Sequence, residues 1–168
     1  SDPVHLGSVA DTAIEEVVAR QIELGLDVIS DGEFRRWMFL NSFYDAVSGV
    51  ATDRSEVEFR NERGETVLLA VPSVEARLEK VDSPAAREAA FLAGITAHPF
   101  KVAFPAASIF VHPFGVSAEA YPSHEEFVAE AVAIERRLIA EAGEAGCRYL
   151  QLHFPLYPYL VVPAWSAR

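Results

Sequence analysis

The sequence is poor in cysteine and in lysine, and both shortages limit what the protein can be. Its one cysteine, Cys147, cannot form a disulfide within the chain, which is typical of the reducing cytoplasm. Only two lysines occur, and 25 acidic residues against 14 basic ones give a net charge of −11. Because nucleic acids and anionic membranes attract clustered Lys and Arg, we expect neither as a partner. No apolar run approaches the ~20 residues that span a bilayer.

The motifs of several enzyme classes are also missing. No Gly-rich phosphate loop occurs, and no Gly-x-Ser-x-Gly turn carries a nucleophilic serine. Asp31 and Glu33 are separated by one residue, so the sequence gives no reason to place them on opposite sides of a glycosidic bond. The sequence therefore gives no support for a phosphate-loop enzyme, a serine-nucleophile enzyme or a glycosidase.

Helical and apolar stretches alternate along the chain, which predicts parallel β/α units. Ser8 and Asp11 have capping-box spacing, Ser83 precedes Pro84 as a further cap, and Ser123 pairs with Glu126. We predict helices near 8–24, 84–94 and 125–142, strands at 26–29, 101–104 and 148–152, and a β-hairpin excursion at 55–71.

The fold class predicted from this order is α/β, with the β/α units of a TIM (β/α)8-type barrel. Only about three strands are found in the 168 residues, whereas a complete barrel takes about 250 residues. We therefore expect residues 1–168 to form one domain that is an incomplete barrel. Its open sheet edges predict a homo-oligomer or a second subunit that completes the barrel.

Polar residues follow two of the predicted strands. Asp31, Gly32 and Glu33 come directly after the first strand, and Gln151 and His153 lie at the end of the third. Ligands of α/β proteins collect beyond the carboxyl ends of the strands. The sequence therefore predicts one rim that carries carboxylate and imidazole side chains.

Two segments carry a family resemblance. The stretch QIELGLDVISDGEFRR, at 21–36, and the stretch AGCRYLQLHFP, at 145–155, resemble the cobalamin-independent methionine synthase family, which includes the epoxyalkane:coenzyme M transferases. The resemblance covers roughly residues 10–165. It implies a (β/α)8 barrel that transfers a methyl or alkyl group from a methyl-folate-like donor to a small thiol such as homocysteine, as in methionine biosynthesis. It also implies a zinc ion that holds the thiol as a thiolate.

The resemblance assigns roles to individual residues. Glu33 matches the family's Glu that holds the amino group of the thiol substrate, with Asp31, Gln151 and Arg36 as further substrate-binding candidates. His153 replaces the family's substrate-binding Asp, and Phe154 replaces its acidic neighbour. We predict that His153 is catalytic. The zinc ligands of the family lie further along than this sequence extends, so we expect no metal ligands in this chain.

Other interpretations remain open. Asp31 and Glu33 are also ordinary turn and helix-start residues, Arg36 suits a surface charge, and His153 suits a hydrogen-bonded structural role. A metal site made of His153 and two of His98, His112 and His124 is a further hypothesis. The chain could instead be a non-catalytic relative that serves as a half-barrel binding or assembly module. A decarboxylase-like relative on a related barrel is a third reading.

Overall fold

The computed structural model describes residues 3–106 and 116–154. Within these ranges the chain forms four helices and four strands. In chain order they are helix α1 (Pro3–Glu23), helix α2 (Asn41–Tyr44), strand β1 (Val47–Arg60), strand β2 (Thr66–Lys80), helix α3 (Pro84–Ile95), strand β3 (Lys101–Pro105), helix α4 (His124–Glu144) and strand β4 (Tyr149–His153).

The central sheet is parallel, as predicted. β3 pairs with β4 in a continuous parallel register that runs from Lys101 opposite Tyr149 to Pro105 opposite His153. Ile29 adds a single parallel bridge to Phe100 on the other side of β3, with the Lys101 amide donating to the Ile29 carbonyl at 2.9 Å. The chain is therefore an α/β protein in which β3 pairs in parallel with β4 and, next to its first residue, with the single residue Ile29.

The first predicted strand, Leu26–Ile29, is wrong as a full strand. Only Ile29 pairs, and its side chain is completely buried, whereas Leu26 is exposed. The chain leaves α1 through Gly25, whose φ of 77° suits glycine at a helix end. Too few residues then remain before the turn at Ser30 to build a longer ladder.

α3 packs against β3, and α4 carries the apolar face that the sequence pattern predicted. α3 and α4 pack on each other, and α4 buries Phe127, Ile134 and Leu138. The Ser123 hydroxyl accepts a hydrogen bond from the Glu126 amide at 3.2 Å, so that predicted cap is confirmed. No helix in the described ranges is both long enough and apolar enough to cross a membrane.

One predicted helix cap is wrong, and another is confirmed in its position but not in its hydrogen bond. Ser8 lies inside α1, which begins at Pro3, and the Ser8 carbonyl accepts a hydrogen bond from Thr12 as an ordinary helix interior does. Ser83 stands at the cap position of α3, but its hydroxyl makes no capping hydrogen bond. Pro84 at the first helical position needs no amide partner, which lowers the demand for a cap.

The hairpin is longer than the predicted 55–71, because β1 and β2 run antiparallel from Val47 to Lys80. At its tip the Asn61 side chain accepts hydrogen bonds from the amides of Arg63 and Glu65. Near its base the register shifts beside Gly49, where a Cβ would lie 2.6 Å from the Arg77 carbonyl oxygen. The buried base of the hairpin joins the core, while residues 62–66 at its tip are exposed.

Candidate active site

The turn that follows Ile29 is fixed by a side chain of α1. Gln21 donates from Nε2 to the Ser30 carbonyl at 2.7 Å and accepts from the Ser30 amide at 3.0 Å. The amide of Gln21 thus pairs with both backbone groups of Ser30, as a neighbouring strand would. Sequence reasoning missed this role, because nothing in a local pattern relates Gln21 to a residue nine positions later.

The turn itself is held by a hydrogen bond from its own backbone to Asp31. The Glu33 amide donates to Asp31 Oδ1 at 3.0 Å, which closes a tight Asx turn. Gly32 has φ of 72°, and the non-glycine residue Glu33 has φ of 60°. A residue other than glycine is strained in this left-handed region of backbone conformation, and such strain is commonly found at functional sites.

A cavity of about 180 Å³ opens between this turn and the sheet. Four consecutive turn residues and three residues of the sheet line it: Ser30, Asp31, Gly32, Glu33, Lys101, Ala103 and His153. Lys101 and Ala103 alternate along β3 and so share one face, and His153 comes from the end of β4. The structure therefore brings both predicted carboxylates and the predicted imidazole to one cavity.

Two buried polar atoms of the cavity residues have no hydrogen-bond partner within residues 3–106 and 116–154. They are Asp31 Oδ2 and His153 Nε2. Asp31 is only 5% exposed, so water reaches its second oxygen poorly. Because buried polar groups are almost always paired, an unpaired carboxylate oxygen and an unpaired imidazole nitrogen on residues that line one cavity indicate a place for a ligand.

A buried ion pair lies behind the turn. Arg36 Nε donates to Glu88 Oε1 at 2.8 Å, and Arg36 Nη2 donates to Glu88 Oε2, so the pair is bidentate. The remaining nitrogen, Nη1, lies 3.6 Å from Glu33 Oε1. Arg36 is therefore a buried support of Glu33 and does not line the cavity.

The electrostatics of this group favour a positively charged ligand. Burial lowers the pKa of Arg36, but the hydrogen bond and charge of Glu88, together with the charges of Glu33 and Asp31, outweigh it and raise that pKa. Burial raises the pKa of Glu88, and the like charges of Asp31 and Glu33 add to this effect against the opposite effect of Arg36. Three carboxylates thus surround one guanidinium, and the Lys101 ammonium lines the same cavity, so three acidic side chains face two basic ones.

Comparison with known proteins places this turn inside a family segment. Residues 5–76 match the model of the cobalamin-independent synthase catalytic domain. The protein YxjH of Bacillus subtilis, whose function is uncharacterized, is 29% identical over 153 residues, which is 88% of this chain and 39% of YxjH. Residues 5–76 are therefore similar to the catalytic domain of the cobalamin-independent synthases.

Solved structures of such synthases share the fold. A B12-independent methionine synthase from Shewanella sp. W3-18-1, in complex with selenomethionine, superposes with a TM-score of 0.77 at 22% identity, over 96% of this chain and 46% of that one. A putative synthase from Listeria monocytogenes gives 0.69 at 23% identity, over 90% and 43%. The chain therefore spans less than half the length of these relatives.

The remaining predicted residues lie beside the cavity or away from it. Gln151 accepts a hydrogen bond from Lys101 Nζ at 2.6 Å, so it contacts the cavity lysine without lining the cavity. His98 contacts the Leu26 carbonyl and His124 stacks near Phe127, whereas His112 lies outside the described residues. Within 3–106 and 116–154, no cluster of three or more His, Cys, Asp or Glu side chains could hold a metal.

Two site residues were missed by sequence reasoning. The sequence pattern predicts only that Lys101 begins a strand, although Lys101 is one of two lysines in the chain. Glu88 lies on the buried face of α3 with Ala85, Ala89 and Leu92. A carboxylate within an apolar helical stripe is a usable signal, because such a group is rarely buried without a partner.

Proposed function

We propose that this chain forms the substrate-binding wall of a methionine-synthase-like enzyme that transfers a methyl or alkyl group to a thiol amino acid such as homocysteine. The observation that carries the proposal is the unpaired, buried Oδ2 of Asp31 in a cavity that Glu33 also lines. The two carboxylates would receive the ammonium group of the substrate. Lys101, on the opposite wall, would face the carboxylate of the same substrate.

The charge balance supports an amino acid over a neutral thiol. With Asp31, Glu33 and Glu88 around one Arg36, an incoming ammonium group lowers the local charge imbalance. Hydrogen bonds to charged groups contribute about 1.5–3 kcal/mol each, enough for at least tenfold discrimination. The Shewanella synthase was solved with selenomethionine, which is itself an α-amino acid.

His153 is proposed to handle the thiol proton. Its Nε2 is buried and unpaired among the described residues, and its ring lies 6.4 Å from that of Phe39. A neutral imidazole at this place would accept the proton as the sulfur becomes a thiolate, and the thiolate would then attack the methyl or alkyl carbon. The bond from that carbon to the donor would break, and the donor would leave with the electron pair and take up the proton from His153. The described residues do not provide a ligand set that fits zinc, so no step is assigned to the metal.

The test is calorimetric titration with L-homocysteine and with 4-mercaptobutanoate, which has the same thiol and carboxylate but no amino group. We expect L-homocysteine to bind at least tenfold more tightly, and Glu33→Gln to remove most of this preference. Glu62→Gln, which neutralises an exposed carboxylate in the hairpin turn, is the matched control. Equal affinity of the two thiols for the unmodified chain would refute amino-acid recognition.

A second candidate is an assembly module. On β4, Tyr149 is 50% exposed and Leu152 is 56% exposed, and β4 pairs only with β3 among the described residues. His153 and Phe154 also stand where the resemblance places an acidic pair. An open, apolar sheet edge suits a second copy or a second subunit that completes the barrel.

Light scattering after size exclusion tests this second candidate. Leu152→Glu should shift an associated species toward the monomer, whereas Leu68→Glu, at a similarly exposed leucine of the hairpin, should not. A monomer in both the unmodified chain and the variant excludes self-assembly through β4.

A cytoplasmic location and the absence of nucleic-acid partners stay predictions from composition.

A further inference from the structure

We propose that Glu88 is a positioning residue that, through Arg36, keeps the Glu33 carboxylate free to bind the substrate ammonium group. The inference rests on the proposed function, since it assigns a support to the same carboxylate. It differs in location, because Glu88 lies on α3 and does not line the cavity.

The first step of the argument is the geometry of the ion pair. Arg36 and Glu88 have side chains that are 4% and 3% exposed, and two parallel hydrogen bonds join them. A bidentate pair fixes the plane of the guanidinium group, so the position of its third nitrogen is fixed as well. That nitrogen, Nη1, faces Glu33 Oε1 at 3.6 Å.

The second step concerns the backbone of Glu33. Its φ of 60° is unfavourable for a residue with a side chain, so contacts must maintain this conformation, and the hydrogen bond from the Glu33 amide to Asp31 Oδ1 is one of them. The Arg36 amide donates to the Glu33 carbonyl at 2.9 Å. Arg36 therefore contacts Glu33 both through the backbone and through the guanidinium group, and Glu88 fixes the latter.

The third step is competition for the guanidinium group. A separation of 3.6 Å is longer than a charge-assisted hydrogen bond, which is usually about 2.7–2.9 Å. While Glu88 occupies two nitrogens of Arg36, Glu33 is oriented but not neutralised by a direct bond. Without the charge of Glu88, Arg36 would be attracted to Glu33 and would occupy the oxygens that the ammonium group needs.

The arrangement is not required for packing alone. Replacing a buried ion pair with apolar residues of similar size is often neutral or stabilising. An apolar stripe formed by Ala85, Ala89 and Leu92 already covers this side of α3. Arg36 Nη1, the nitrogen that Glu88 does not bind, lies near the strained residue Glu33. An effect on Glu33 therefore explains the buried pair better than packing does.

The experiment compares affinities for L-homocysteine and 4-mercaptobutanoate in the full chain and in three variants. Glu88→Gln has nearly the same shape without the charge. We expect the ratio of its affinity for L-homocysteine to its affinity for 4-mercaptobutanoate to fall at least fivefold, while the affinity for 4-mercaptobutanoate itself changes less than twofold. Glu88→Asp, which keeps the charge, should regain part of the preference. Glu135→Gln, at a buried carboxylate on α4, is the matched control and should keep it.

The outcomes separate the two proposals. If the unmodified chain shows no preference, the proposed function fails, and this inference fails with it. If the unmodified chain discriminates and folded Glu88→Gln discriminates equally, only the positioning role is refuted. Should Glu88→Gln not fold, Arg36→Lys decides in the same way, because a single ammonium cannot hold Glu88 and orient Glu33 together.

Discussion

Two arginines in this molecule each form ion pairs with two carboxylates, and the burial of one pair and the exposure of the other give the two arginines different effects. Arg36 is 4% exposed and joins Glu88 to Glu33 behind the cavity. Arg77 is 52% exposed and joins Glu126 at 2.6 Å and Glu130 at 3.1 Å, between the hairpin and α4. Water screens the second network but not the first. The same set of charges therefore orients a site when buried and only adds to a contact when exposed.

The largest expected effect follows from breaking the buried network. Arg36→Met removes the partner of Glu88 and leaves a carboxylate in an apolar environment, which costs about 3–5 kcal/mol. Urea unfolding at pH 7 should show a clear fall in the midpoint with an unchanged slope. A loss below about 1 kcal/mol would show that Glu88 reaches water or another partner, and it would remove the contrast with Arg77.

The second effect tests the polar contact that lies beneath Arg77. Tyr121 accepts a hydrogen bond from the Leu78 amide at 2.7 Å and donates to Glu130 at 2.7 Å. Tyr121→Phe leaves the buried amide without its partner and should cost about 1–3 kcal/mol in urea unfolding. Tyr149→Phe, at a tyrosine that is 50% exposed, serves as the control for loss of a hydroxyl group. No change for Tyr121→Phe would mean that water replaces the phenol.

The same tyrosine predicts a pH dependence. Burial raises the pKa of Tyr121 to about 12, above the ~10 expected in the unfolded chain. Because the folded pKa is the higher one, the contribution of Tyr121 is complete below pH ~10 and is lost as the pH rises toward 12. The unfolding free energies of the unmodified chain and of Tyr121→Phe should therefore converge between pH 10 and 12. Parallel curves over this range would contradict the burial of the phenol.

The two networks also mark what sequence could and could not predict. The turn at Asp31, Gly32 and Glu33 and the cap of α4 at Ser123 depend on near neighbours, and the structure contains both. The pairs that complete the site join residues about fifty positions apart, as with Arg36 and Glu88. Such pairs depend on how α3 docks behind the turn, which periodicity does not encode.

The length of the strands shows the same limit. The run from Leu26 to Ile29 has the composition of a buried strand, yet only Ile29 pairs. Gln21 provides the hydrogen bonds for Ser30 that a longer ladder would have provided. Composition therefore predicted the position of the segment in the parallel sheet, but the side chain of α1 decided where its pairing stops.

The smallest expected effect comes from Arg77 itself. Its guanidinium group lies 4.9 Å above the ring of Tyr121 and contacts Glu126 and Glu130 from the solvent side. Exposed pairs contribute little, because water and salt screen them and two long side chains must be ordered. Arg77→Met should therefore shift the urea midpoint less than Tyr121→Phe does, and the shift should disappear in 1 M NaCl, where screening acts over about 3 Å. The fall in the urea midpoint of Arg36→Met should persist in the same salt, because Glu88 is buried and dissolved ions do not screen its charge. Equal salt sensitivity of the two variants would show that burial does not separate the two arginines.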